Sequence, residues 1–156
     1  MPHFYESIPS DLGEWALSQP LFFTASAPLH SRSSHVNVSP KGLPSSTLTI
    51  LNPNQCAYLD ATGSGCETIS HIYENGRVTL MFCSFGESPR ICRFFCKGRV
   101  VEWDDPKFEE WVGKVGKASG VKGVRAVIVL DVWKVGNFPD VYAAAGVSCL
   151  LCMTII

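Results

Sequence analysis

The chain has 156 residues, of which 46% are hydrophobic and 17% are charged, and its formal net charge is −1. This composition excludes a disordered chain, and the length suits one domain that buries its own core without disulfide staples. The 13 Lys and Arg residues are scattered rather than clustered, so nucleic-acid binding has little electrostatic support.

The N-terminus and the cysteines indicate a reducing compartment. Residues 1–6 lack the basic start and the apolar core of a signal peptide, so we expect a cytoplasmic protein with free thiols that are buried or half-buried. Cys92 and Cys96 lie in a strand pattern with no second pair facing them, so their spacing does not indicate zinc, and we predict no metal site. The seven cysteines are Cys56, Cys66, Cys83, Cys92, Cys96, Cys149 and Cys152.

The first third of the chain predicts a helix followed by strands. Residues 10–17 indicate a short helix with Ser10 as its N-cap, and Pro20 stops it. An apolar strand is predicted over residues 21–25 and a polar loop over 27–34. Residues 35–38 alternate with the period of a strand and run into a predicted Pro-Lys-Gly turn at residues 40–42.

The rest of the chain predicts mostly strands, with two further helices. One helix covers residues 67–74 and ends at Gly76, and the other contains Phe108 and Trp111 after a cap at Asp104 or Asp105, with Pro106 in its first turn. Further strands are predicted over residues 47–51, 55–60, 77–84, 90–103 and 124–133. This order predicts a mainly antiparallel fold and leaves sandwich and barrel undecided.

Two segments concentrate groups that suit a phosphate. Residues 35–42 (HVNVSPKG) place a lysine at a strand end, and residues 60–68 (DATGSGCET) leave a strand through a glycine corner into a helix start. A cation, hydroxyls and backbone N–H groups at a helix N-terminus bind anions. The alternative is a surface turn and a simple helix cap. The candidate residues are Ser39, Lys41, Gly42, Thr62, Gly63, Ser64, Gly65 and Thr68.

These segments, with residues 19–25, 75–82 and 89–93, resemble the pyridoxamine 5'-phosphate oxidase-like flavoproteins, and within them a fungal or bacterial subgroup with an N-V-S-P-K-G element. The resemblance covers roughly residues 4–134 and implies a mainly β (α+β), FMN-binding split β-barrel, antiparallel and with a few short helices. It also implies a homodimer with FMN at the subunit interface and an oxidoreductase acting on a small molecule. The substrate Arg and His pattern of true vitamin-B6 oxidases is missing near the C-terminus.

The resemblance assigns no catalytic residue, because a flavin carries the redox chemistry itself. It adds two candidate cofactor contacts. Asp60 bonds the flavin or simply ends its strand, and Arg93 reaches the flavin or the neighbouring subunit or is a solvated surface arginine. Glu67 stands where better-known relatives place a cation, and His71 is expected to be a partly exposed helical residue. The alternatives are a flavin-, deazaflavin- or haem-binding module without turnover, and a truncated inactive isoform.

The resemblance stops at Val135, which divides the chain into a flavin-binding domain (residues 1–134) and an atypical apolar tail (residues 135–156). We expect the tail to be an alternative or mis-spliced ending, such as a retained intron. A membrane anchor is the alternative, but spanning a bilayer takes about 20 apolar residues and the run here is shorter. We therefore do not expect membrane association.

Overall fold

The computed structural model describes residues 1–29, 35–63, 65–85, 88–116 and 123–139. The strands are β1 (His3–Tyr5), β2 (Leu21–Ser26), β3 (Asn37–Gly42), β4 (Leu48–Asn52), β5 (Gln55–Ala61), β6 (Arg77–Cys83), β7 (Arg90–Glu102) and β8 (Val124–Pro139). The helices are α1 (Ser10–Ser18), α2 (Pro44–Thr47), α3 (Glu67–Asn75) and α4 (Phe108–Val115). In the described part of the chain, no helix is long and apolar enough to cross a membrane.

One antiparallel sheet runs in the order β3-β2-β6-β7-β8-β5-β4, with β1 paired to the far end of β8. Its inner face carries an aromatic cluster in which Phe22 contacts Tyr58 and Phe82, and Phe82 contacts Phe94, at ring-centroid distances of 5.0 to 5.8 Å. Burying each of these rings contributes roughly 1.5–3 kcal/mol. The cluster explains the alternation of β2, whose buried residues are every second one.

The Pro-Lys-Gly turn predicted at residues 40–42 is wrong, because these residues continue β3 to Gly42. The sheet order makes β3 an edge strand, paired only with β2, and Pro40 lies opposite Phe23. An edge strand tolerates proline because the missing N–H leaves no ladder bond unmade on its outer side. The chain instead turns at Leu43, whose φ is +44°, and enters α2.

The other three helices, α1, α3 and α4, form where they were predicted, with ends that differ from the prediction by at most three residues. Helix α1 has Pro9 as its N-cap, so Ser10 is its first helical residue and forms no side-chain cap bond. Helix α4 starts at Phe108, after a turn in which the Asp105 carboxylate accepts a hydrogen bond from the Lys107 N–H. Helix α3 ends at Gly76 as predicted, with φ at +72°.

Strand β8 extends beyond the predicted end at residue 133 and finishes at Pro139. The extension is paired on both sides, since Asn137 lies opposite Cys92 of β7 and His3 of β1. The domain boundary predicted at residue 134 therefore falls inside a strand. Residues 140–156, which make up most of the predicted tail, lie outside the described residues.

Candidate functional site

A cavity of about 240 Å³ opens where β3, the end of β5, the start of α3 and the start of β8 meet. Strand alternation brings Asn37, Ser39 and Lys41 to the same face of β3. The glycine corner after β5 supplies the opposite wall. The sequence-predicted residues that line the cavity are Ser39, Lys41, Asp60, Gly63, Gly65 and Thr68.

A buried carboxylate lies between two cations at this cavity. The Lys41 ammonium forms an ion pair with Asp60 Oδ1 at 3.2 Å, and Arg125 Nε donates to Asp60 Oδ2 at 2.8 Å. The Asp60 side chain is only 2% exposed, whereas the two cations are 23% and 24% exposed. A buried carboxylate is stable only when it is paired, so Asp60 depends on the two cations that lie beside it.

Arg125 reaches the cavity because the pairing between β5 and β8 is irregular at this point. Asp60 lies opposite Ala126 and Ala61 opposite Val124, so Arg125 is the extra residue of a β-bulge. Regular alternation would place Arg125 on the face opposite Asp60, and a bulge re-aims the side chain. Its Nη2 also donates to the Gly65 carbonyl at 2.6 Å, which ties the glycine corner to β8.

A chain of polar side chains connects the cavity to the protein interior. The Asn37 amide nitrogen donates to Thr68 Oγ1 at 2.9 Å and to Ser26 Oγ at 3.2 Å, and Ser26 Oγ is hydrogen-bonded to His71 Nδ1 at 2.9 Å. Because Thr68 Oγ1 accepts from Asn37, its own proton remains for another acceptor. The expectation of a partly exposed His71 is wrong, because this side chain is only 8% exposed and faces β2.

The rim of the cavity carries an acidic residue that is itself paired. Glu67, the first residue of α3, lies 2.6 Å from His35 Nε2, and both side chains are about half exposed. The resemblance leads us to expect a cation at this position, and the structure instead has Glu67 in contact with His35. The contact with His35 engages one of the two carboxylate oxygens of Glu67 at the entrance.

Three other predicted residues lie outside the cavity lining. Gly42 ends β3 opposite Leu21, and the Thr62 N–H donates to the Gly123 carbonyl. Arg93 lies on β7 with its guanidinium 5.0 Å from the centroid of the Phe138 ring. The predicted contacts of Gly42, Thr62 and Arg93 with a cofactor stay predictions. Ser64 lies outside the described residues.

The glycine corner has open space around the positions of its missing side chains. A Cβ atom placed on Gly63 or on Gly65 would meet no heavy atom of the described chain within 4 Å. The corner therefore needs no glycine for its own packing, and any requirement for glycine there would come from a ligand.

An apolar groove of about 320 Å³ adjoins the cavity on the outer face of the sheet. Val36, Phe95 and Trp133 line it, and Trp133 is 62% exposed. Trp133 is the extra residue of a second β8 bulge, between the Phe95–Lys134 and Cys96–Val132 pairs. Ser26 lines the groove and Asn37 lines the cavity, so their hydrogen bond separates the two spaces.

The thiols differ in burial. Cys56, Cys92 and Cys96 are buried and Cys83 is intermediate, as predicted, whereas Cys66 is exposed next to the cavity. Burial raises the pKa of the Cys92 thiol to about 12. A thiol that stays protonated is a poor nucleophile, so Cys92 is a packing residue.

Sequence reasoning missed Arg125 and Asn37 as cavity residues and Trp133 as a residue of the adjoining groove. Arg125 lies in an apolar strand pattern, and the one signal for a role in a site was that it is a charged residue among residues predicted to be buried. Asn37 was read as part of a motif without a role of its own. The bulge that exposes Trp133 depends on pairing between distant segments, which a local pattern does not report.

The curled antiparallel sheet with its few helices defines a split β-barrel, and a cavity that contains Lys41 and Arg125 lies at its edge. Residues 36–137 match the family model described as pyridoxamine 5'-phosphate oxidase. The chain is 58% identical over 135 residues to the pyridoxamine 5'-phosphate oxidase family protein ustO of Aspergillus flavus. The aligned residues make up 86% of this chain. The chain belongs to the pyridoxamine 5'-phosphate oxidase family. It spans about half, 53%, of the length of that curated relative.

Solved structures share the fold at low sequence identity. HupZ from Group A Streptococcus has a TM-score of 0.59 and 17% identity, covering 82% of this chain and 91% of its own. An FMN-binding protein from Syntrophomonas wolfei has a TM-score of 0.58 and 13% identity, with 81% and 84% covered. The FAD-binding protein from Mycobacterium smegmatis has a TM-score of 0.55 and 13% identity, with 85% and 98% covered. The predicted split-barrel fold is confirmed.

Proposed function

We propose that this chain binds FMN with the flavin phosphate in the cation-lined cavity, and that it is an oxidoreductase acting on a small molecule. The observation that carries the proposal is the convergence of Lys41, Arg125 and the α3 N-terminus on one cavity. Hydrogen bonds from cations to phosphate are stronger than neutral ones, and a helix N-terminus adds a favourable dipole. Membership of a family that has flavin-binding structural neighbours supports the same ligand class.

The size of the cavity limits which part of FMN it holds. Small-molecule sites are typically about 300–1,000 Å³, and this cavity is smaller, at about 240 Å³. It suits the phosphate and the neighbouring part of the ribityl chain. The flavin ring would then lie outside, toward the adjoining groove, where Val36 and Trp133 offer apolar and aromatic surface.

In this proposal the protein residues bind and orient, and a bound flavin supplies the electron-transfer chemistry. Lys41 and Arg125 donate charge-assisted hydrogen bonds to the phosphate, while Ser39 and Thr68 offer hydroxyl groups to it. The groove holds the ring in an environment with few charges. The small-molecule substrate would approach the exposed side of that ring.

The proposal includes a homodimer and a cytoplasmic location, as the sequence predicts. The outer face of the sheet exposes Val36, Val38 and Trp133, each more than half accessible in the single chain. A large exposed apolar patch marks an interaction surface. A second copy of the chain over this face would also cover the flavin ring.

The visible spectrum of the purified protein, before and after incubation with FMN, tests the proposal. We expect flavin absorption bands that remain after gel filtration, bleach under anaerobic reduction and return with a suitable acceptor. A Soret band would instead indicate the haem-binding module, and a bound flavin or deazaflavin that no donor or acceptor turns over would indicate a carrier. Absence of any bound flavin after incubation with FMN would overturn the proposal.

A further inference from the structure

We propose that Asp60 positions Lys41 and Arg125 instead of contacting the flavin, and that the Arg125 guanidinium joins Asp60, the glycine corner and the phosphate. The inference rests on the proposed function and deepens it. In this inference, two cations joined by one buried carboxylate make the site bind FMN more tightly than the unphosphorylated flavin, riboflavin.

The first step concerns Asp60. Each of its carboxylate oxygens faces one cation, and only 2% of the side chain is exposed. The carboxylate therefore lines the cavity with both of its oxygens already paired to cations. A phosphate in contact with this carboxylate would bring like charges together, which is unfavourable at low dielectric. Asp60 acts on an anion through Lys41 and Arg125.

The second step concerns what Asp60 joins. Lys41 lies on β3 and Asp60 on β5, and these strands are not neighbours in the sheet. Arg125 lies on β8, beside β5. The carboxylate thus fixes the distance between two cations that no backbone ladder holds together. Lysine and arginine side chains have much rotational freedom, and a shared partner removes it before the ligand arrives.

The third step concerns the donors that Arg125 keeps. Its Nε donates to Asp60 and one Nη2 proton to the Gly65 carbonyl, so three of the five guanidinium N–H groups have no such partner in the described chain. Arg125 lines the cavity with about a quarter of its side chain exposed. The same residue can therefore hold the glycine corner in place and donate to a phosphate.

A role of Asp60 through its charge and a role through positioning predict opposite effects of Asp60→Asn on FMN affinity. Removing the negative charge of Asp60 would strengthen anion binding if charge alone decided the affinity. If Asp60 positions the two cations, Asp60→Asn weakens FMN binding although the cavity becomes more positive. Arg125→Lys keeps the charge but loses the fork that reaches Asp60, Gly65 and phosphate together.

The experiment measures dissociation constants for FMN and for riboflavin with four proteins: the wild type, Asp60→Asn, Arg125→Lys and Arg99→Lys. Arg99 is the matched control, because its guanidinium stacks on Trp111 and it does not line the cavity. Fluorescence titration gives the affinities, and thermal unfolding of the ligand-free variants reports their folding.

We expect the wild type and Arg99→Lys to prefer FMN over riboflavin. We expect Asp60→Asn and Arg125→Lys to bind FMN about ten- to a hundred-fold more weakly and riboflavin unchanged. Tighter FMN binding by Asp60→Asn, unchanged FMN binding by Arg125→Lys, or equal losses for both flavins would overturn the inference. If Asp60→Asn does not fold, Arg125→Lys decides. A wild type that binds neither flavin overturns the proposed function, whereas a wild type that binds FMN with unaffected variants overturns only this inference.

Discussion

Lys41 lies at the boundary between the cavity and solvent, with 23% of its side chain exposed. A cation in this position is screened less by salt than a fully exposed lysine and keeps donors beyond its ion pair with Asp60. The sequence motif predicts Lys41 as a phosphate contact, and the structure places Lys41 in the cavity lining, where the proposed function needs it.

Replacing Lys41 by alanine removes one charge-assisted contact from the proposed phosphate site. We expect a loss of about 1.5–3 kcal/mol, which is ten- to a hundred-fold in FMN affinity. Lys107→Ala is the control, because Lys107 is exposed before α4 and does not line the cavity. Equal quenching of flavin fluorescence by the two variants at every protein concentration would contradict the assignment.

A substitution in the glycine corner distinguishes a glycine that the fold requires from one that the ligand requires. A Cβ on Gly65 meets no described atom within 4 Å, so Gly65→Ala should change the free energy of unfolding by no more than about 0.5 kcal/mol. If the backbone there approaches a phosphate, the same methyl group weakens FMN binding.

Gly113→Ala is the control for this position, since a Cβ there is equally unobstructed and lies on α4. It should leave FMN binding unchanged and make the chain slightly more stable, by about 0.5–1 kcal/mol, because alanine favours helix. A Gly65→Ala protein with wild-type FMN affinity would show that the corner does not contact the ligand.

At the scale of elements, edge strand β3 carries the site and is fastened to α3 by side chains. Asn37 forms this link, since its amide joins Thr68 of α3 and Ser26 of β2. Both partners are buried, and a buried polar group that loses its partner costs about 1–3 kcal/mol.

We therefore expect Asn37→Ala to lower the thermal midpoint by roughly 2–12 °C, taking about 2–4 °C per kcal/mol for a chain of this size. Val38→Ala, at the exposed neighbouring position, should shift the midpoint much less. Calorimetry of the two variants decides the matter, and equal midpoints would show that the Asn37 bonds contribute nothing to stability.

Local patterns predicted most of the strands and helices, although not β1 or α2, and they failed at β3 and at the two bulges of β8, where pairing between distant segments decides. Pro40 with Gly42 predicts a turn from sequence, whereas the sheet order shows that β3 is an edge strand, which tolerates proline. Arg125 and Trp133 could not be assigned, because each lies at a bulge set by register with another strand. The presence of Lys41, Gly65 and Thr68 in the cavity lining could be predicted, because short motifs place these residues at strand and helix ends.

At the scale of the whole molecule, the proposed homodimer depends on the outer face of the sheet. Trp133 is 62% exposed in the groove of this face, and Trp103 is 69% exposed at the end of β7, outside the groove. The two tryptophans therefore allow a matched comparison.

A glutamate in place of Trp133 would put an unpaired charge into the proposed interface, at a cost that abolishes most dimers of moderate affinity. We expect Trp133→Glu to be monomeric and Trp103→Glu to remain dimeric in gel filtration with light scattering. Both variants running as the wild type would place the interface elsewhere, and a monomeric wild type would remove the dimer from the proposal.

The measurement that tests the central claim most directly is a crystal structure of the chain grown with FMN. The account predicts the phosphate in the cavity, within hydrogen-bond distance of Lys41 Nζ and the Arg125 guanidinium, with Asp60 still bound to both cations. A phosphate bound anywhere else, or a flavin whose ring rather than its phosphate fills the cavity, would contradict it.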